Sequence, residues 1–234
     1  MPYPTDLVGK FLKYRIDPGA TSVPPGVALV DGLLPGQTVP ENLAVFSDGA
    51  APMMGVHRAP AAPVMGGHRA PEAAYTDTRR NWSFRFLKYV AGAVTSTSIG
   101  TGVLTGPMTG CFLCRYTRGG QSHMAHIGTY LKPDSDESLA AKQAWAAFAT
   151  RADVTDIEGN SPADFFTFGE LAAVATPGAL PQVCGYFEAN RAYAIAVVPV
   201  PAGGGRQPML RVAAVKDMPL MQWSAIAGLR TFRM

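Results

Sequence analysis

Two residues fifteen positions apart, Cys111 and His126, carry the most specific chemistry in the sequence. Cys111 closes the segment Leu104-Thr-Gly-Pro-Met-Thr-Gly-Cys111. A cysteine placed just after glycine at the start of a strand leaves its sulfur at an end of a sheet, where it can act as a nucleophile. An ordinary cysteine, with a pKa of about 8.5, is mostly a thiol at neutral pH. A histidine within reach favours the thiolate, takes the proton during attack and returns it to the leaving group. Backbone N–H groups around Gly110 and Cys111 can form an oxyanion hole, worth roughly 3 kcal/mol per donor in other enzymes. A working pair needs sulfur and ring nitrogen about 3–4 Å apart.

The element that must bring the two together is a β-hairpin. Cys111-Phe-Leu-Cys-Arg-Tyr-Thr117 and Ser122-His-Met-Ala-His-Ile-Gly-Thr-Tyr-Leu131 flank the turn Arg118-Gly119-Gly120-Gln121, a strong signal for two antiparallel strands. A two-residue Gly119-Gly120 loop pairs Thr117 with Ser122, Tyr116 with His123 and Leu113 with His126. Alternate residues of a strand share a face, so Cys111 lies on the face of Leu113 and His126, one diagonal step away, at roughly 7 Å before side chains extend. Cys114 and His123 point to the other face. A three-residue turn would reverse this and substitute His123 for His126.

Met108-Thr109-Gly110-Cys111 resembles the Leu-Ser-Gly-Cys motif of the cytotoxic necrotising factor type glutamine deamidases, and His126 follows at a distance in that family's range, again across a hairpin. Two motif positions differ, Met108 for Leu and Thr109 for Ser. The chemotaxis receptor deamidases are similar, with a Gly/Ser-Cys start and a downstream histidine. The resemblance implies a Cys-His pair that hydrolyses a glutamine side chain of a target protein through a thioester, on a mixed β-sandwich with flanking helices. It carries over Cys111 as nucleophile and His126 as base and acid. The group that orients the histidine varies in the family, and Thr105 is the candidate here. It further implies a bacterial effector or toxin, made in the cytoplasm and secreted by a route that needs no signal peptide, with a target protein as substrate and a secretion chaperone as candidate partner.

Other readings of the same residues stay open. The pair also suits a thiol protease or an acyltransferase. Cys111-x2-Cys114 with His123-x2-His126 has zinc ligand types, but a plain hairpin splits each pair between two faces, and the eight-residue gap is shorter than in familiar zinc fingers. No metal and no cofactor is therefore expected. A buried cysteine is also commonly a small apolar packing residue, which leaves a non-enzymatic interaction module as a third reading. Cys184, in Val183-Cys184-Gly185-Tyr186, reads as core, and Asp153–Gly159 as a solvated acidic loop.

Composition limits the rest. The chain has 234 residues, 47% apolar and 16% charged, with 20 prolines and 25 glycines, which excludes a wholly disordered chain. The net charge of +3 has no basic run longer than Arg79-Arg80, so nucleic acid is not an expected partner. Apolar runs such as Ala192–Val200 are too short to span a bilayer. The amino terminus lacks a basic segment followed by an apolar one, and three irregularly spaced cysteines make no disulfide framework.

Residues 1–76 read as an irregular Pro-rich segment with extended pieces at Gly26–Val30 and Leu43–Phe46. It includes a linker in which Ala51-Pro-Met-Met-Gly-Val-His-Arg-Ala-Pro60 recurs, nearly unchanged, eleven residues later. Residues 77–234 read as one α+β catalytic domain. Strands are expected around 84–90, at the hairpin, and over Gln182–Glu188, Ala192–Val200 and Met209–Asp217, joined in the last case through Gly203-Gly204-Gly205-Arg206, with an edge strand at Leu229–Met234. Helices are expected from Ser135 or Asp136 to Thr150 and from Ser161 or Ala163 to Val174. Strands before and after two helices, without βαβ alternation, predict a mixed or antiparallel sandwich-like sheet with two flanking helices.

Overall fold

The computed structural model describes residues 7–14, 34–35, 38–39, 44–47, 82–129, 132, 134–200, 209–229 and 232. The extended piece at Gly26–Val30, the repeat over 51–71 and the glycine turn at 203–206 lie outside these residues.

In chain order the strands are β1 (Phe11–Tyr14), β2 (Leu34–Pro35), β3 (Thr38–Val39), β4 (Ala44–Ser47), β5 (Trp82–Ser83), β6 (Arg85–Leu87), β7 (Val94–Ser98), β8 (Val103–Met108), β9 (Phe112–Arg118) and β10 (Gln121–Ile127). Helix α1 (Asp136–Ala149), β11 (Val154–Asn160), a 3-10 turn (Pro162–Phe165), α2 (Phe168–Val174), β12 (Gln182–Phe187), β13 (Ala192–Val200), β14 (Met209–Asp217), β15 (Met221–Gln222) and α3 (Trp223–Ala227) follow. The fold is α+β, as the sequence predicts. Its two sheets are mixed, mainly antiparallel, with β6 parallel to β8 and β2 parallel to β7.

The larger sheet has the order β3-β6-β8-β12-β13-β14-β1-β4-β5. Its members β5 and β6 stand near opposite flanks of that order, yet only Phe84 separates them in the chain. The sheet is therefore rolled until its flanks adjoin. Phe84, Phe86, Leu104, Cys184, Tyr186, Tyr193, Ile195 and Val197 fill the inside of the roll, drawn from alternate positions of successive strands. Cys184 is core, as read from the sequence.

The smaller sheet, ordered β15-β11-β9-β10-β7-β2, lies against the outside of the roll. Leu87, Val103, Met108 and Phe187 of the larger sheet pack there against Leu113 and Met124 of the smaller. The layers approach closely at Gly185, where any Cβ would land on Leu113 Cδ1. On the opposite face of the smaller sheet Phe112, Cys114, Tyr116, Ala125 and Ile127 pack against Ala141, Trp145 and Phe148 of α1. Those helical residues recur at spacings of four and three, as an apolar stripe must. Ser135 caps α1 by accepting from the Ser138 N–H, and Asp136 and Glu137 complement the positive end of the helix.

Among the described residues, four strands come from the segment before residue 77. β1 and β4 join the roll beside β14, β3 pairs with β6, and β2 pairs with β7. The expected piece at Leu43–Phe46 corresponds to β4.

Three local readings need correction. Asp153–Gly159 is largely strand β11, because Val154 and Ile157 reach the α1 cluster while a bulge between Thr155 and Glu158 turns the acidic side chains outward. The helix expected from Ser161 to Val174 is broken at extended Phe166. A new helix starts at Thr167, whose side chain and Glu170 form a reciprocal capping box. Among the described residues of 229–234 there is no strand, and Phe232 instead packs edge-on against Phe112 and Trp223.

Candidate active site

The hairpin of β9 and β10 turns through Gly119 and Gly120, both at positive φ (58° and 73°), a pairing that suits the twist of a two-residue loop. Thr117 pairs with Ser122, Tyr116 with His123 and Leu113 with His126, the register derived from the sequence. Cys114 is buried on the α1 side, where His123 stacks on Tyr116 with ring centroids 5.1 Å apart. Cys111, Leu113, Met124 and His126 face the rolled sheet. The four zinc-type residues are thus divided between two faces, and among the described residues no three His, Cys, Asp or Glu side chains converge as metal ligands.

His126 meets Thr105 of β8 across the sandwich. Thr105 Oγ1 lies 2.6 Å from His126 Nδ1 and 2.8 Å from the Leu87 carbonyl oxygen, and all of it is buried. A hydroxyl has one proton and a carbonyl can only accept. Thr105 therefore donates to Leu87 and accepts from Nδ1–H, which assigns the imidazole lone pair to Nε2. Burial pushes the His126 pKa down to about 3, so the ring is neutral. Nε2 is buried and has no hydrogen-bond partner among the described residues. The Tyr89 ring packs on the imidazole, centroids 5.2 Å apart.

Cys111 sits one residue before β9, at the sheet end that its glycine neighbour predicts. It is 3% exposed, and burial raises its pKa to about 12, against a smaller lowering by Thr129 and by the backbone at Thr129 and Gly110. The resting group is a thiol. It donates to the Thr129 carbonyl at 3.1 Å, and the Thr129 hydroxyl donates to the Gly110 carbonyl at 2.5 Å. Cys111 and His126 share a face but are not hydrogen-bonded to each other in this state. The structure joins Thr105 to His126 and Cys111 to Thr129.

Cys111 opens onto a cleft of about 460 Å³ walled by Tyr89, Pro107, Met108 and Thr129, with Lys132, Ser135 and Glu137 at the approach to α1. Apolar walls ending in a few polar groups suit a side chain with a methylene stem and a polar head. Thr129 and Tyr89 were not identifiable from motif spacing. Continuing the register beyond Phe112 and Ile127 sets Gly110 opposite Thr129, the one signal that pointed to it.

No family model, no curated protein and no solved structure matches the chain.

Proposed function

We propose that the chain is a cysteine-dependent amide hydrolase of the bacterial effector kind, which deamidates glutamine on a target protein. One observation carries this reading: His126 is held by Thr105 as a neutral imidazole with its free lone pair on buried Nε2, on the sheet face that also carries Cys111 and its cleft. A neutral imidazole with its lone pair on Nε2 can accept a proton there, and its basicity rises when a polar substrate replaces the dry surroundings that depress it.

In the reaction the thiol leaves the Thr129 carbonyl, its proton passes to Nε2, and the sulfur attacks the side-chain amide carbon. The C–N bond breaks as Nε2–H protonates the departing nitrogen, which leaves as ammonia. Water, deprotonated by Nε2, then attacks the thioester, and the C–S bond breaks to give glutamate and the thiol. Thr105 keeps Nδ1 protonated throughout. The low resting acidity of Cys111 requires proton removal to accompany attack rather than precede it.

The test is incubation of the full chain with glutamine-containing proteins and peptides, followed by ammonia release and intact mass. Deamidation adds one dalton without cleavage, and Cys111→Ala or His126→Ala abolishes it. Chain cleavage indicates a thiol protease instead, and a new amide-linked adduct an acyltransferase. A chain that does none of these is not an amide hydrolase.

The burial of Cys111 and its bond to Thr129 favour a second reading, in which Cys111 and His126 are packing residues of an interaction module. Retention of every cellular effect by Cys111→Ala would establish it.

A further inference from the structure

One residue touches the sulfur, the backbone before it and the cleft. Thr129 is 3% exposed and lines the cleft beside Cys111. Its carbonyl accepts from the Cys111 thiol at 3.1 Å and its hydroxyl donates to the Gly110 carbonyl at 2.5 Å. The residue two beyond β10 thus holds the two residues that precede β9, once as acceptor and once as donor. The Thr129 side chain also opposes the upward push of burial on the thiol.

We propose that Thr129 is the positioning residue for Cys111. Its carbonyl holds the neutral thiol, and its hydroxyl turns from the Gly110 carbonyl to the sulfur when the proton leaves. The inference deepens the hydrolase reading and rests on Cys111 being its reacting group. The exchange balances: the S–H proton goes to His126 Nε2 or, without substrate, to a solvent base. The Thr129 O–H bond stays intact and changes only its acceptor. A thiol needs an acceptor and a thiolate needs a donor, and one residue presents both. Other titratable groups toward the sulfur are His126 on the same face, Tyr89 in the cleft wall, and Lys132 and Glu137 at its rim. Substitution at Thr129 leaves all four in place.

The experiment is iodoacetamide alkylation of the full chain between about pH 7 and 9, with each cysteine followed by peptide mass mapping. Cys114 and Cys184, both fully buried, report any general loosening. In Thr129→Val, Cys111 reacts about tenfold more slowly at each pH, an upward shift of about one unit, as expected for losing one hydrogen bond to a charged group. Thr129→Ser, which keeps the hydroxyl, reacts like the wild type. An unchanged or faster Cys111 rate in Thr129→Val overturns the proposal, whether Cys114 and Cys184 stay silent or react alongside. Thr129→Ala is read by the same criteria if the valine variant does not fold. Alkylation needs no turnover. Absence of amide hydrolysis with the tenfold slowing intact removes the activity alone, and hydrolysis with unslowed alkylation removes the role of Thr129 alone.

Discussion

Thr105 and His126 belong to different sheets and meet through a 2.6 Å hydrogen bond whose polarity is set by a third group, the Leu87 carbonyl. Leu87 and Thr105 are themselves register partners on the parallel strands β6 and β8. The imidazole tautomer is therefore determined by strand pairing in the opposite layer.

Thr105→Val keeps the shape of the side chain, removes its bond to the Leu87 carbonyl and leaves Nδ1–H buried without its partner. The expected loss is about 1–3 kcal/mol of stability, read from the denaturant midpoint. Thr105→Ser keeps both bonds and loses less than about 1 kcal/mol. In the proposed reaction, kcat of the valine variant falls roughly 10- to 100-fold while KM stays near the wild-type value.

His126 makes stability depend on acid. Its pKa is 6.5 when unperturbed and about 3 in the fold. Between those values the unfolded chain binds a proton that the native one does not. Stability from this group is thus complete above about pH 6.5 and is lost as pH falls toward 3. From pH 7 to about 4.5 the wild type should lose about 2–3 kcal/mol more than His126→Gln. Equal losses in parallel urea titrations would show that the ring titrates normally.

Gly185→Ala pushes a methyl onto Leu113, whose partner across the hairpin is His126. Leu113 is fully buried, so the strain should cost about 1–3 kcal/mol. Leu113→Ala in the same chain should cost less on the Gly185→Ala background than alone. Additive effects in that double-mutant cycle would place the two layers farther apart than described.

Ser135→Ala removes the cap of α1 and should cost about 1 kcal/mol. Because Ser135 also lines the approach to the cleft, amide exchange at the first turn of α1 should accelerate while β9 and β10 stay protected.

The hairpin was legible because Gly119-Gly120 selects one turn, and that turn selects the facing of Cys111, Leu113 and His126. Helix α1 was legible because Ser135 can cap it and apolar residues recur through to Phe148, of which the structure buries Ala141, Trp145 and Phe148. Strand β11 was hidden by Asp153, Asp156 and Glu158. Their charges read as solvent, yet Val154 and Ile157 between them face inward. The break before α2 was written in Thr167-x-x-Glu170 and was read through because the flanking residues are apolar. Thr129 escaped notice because half of its contact with Cys111 is made by its carbonyl, which every residue possesses.

β1 pairs with β14 through Phe11 opposite Arg211 and Leu12 opposite Leu210, partners with twelve other strands between them in chain order. During synthesis this seam cannot form until β14 has left the ribosome, so β1 waits for that partner while every strand between them emerges. A truncation that reaches β1 from the front and one that reaches β14 from the back should open the same seam and leave proteins with closely similar protease sensitivity.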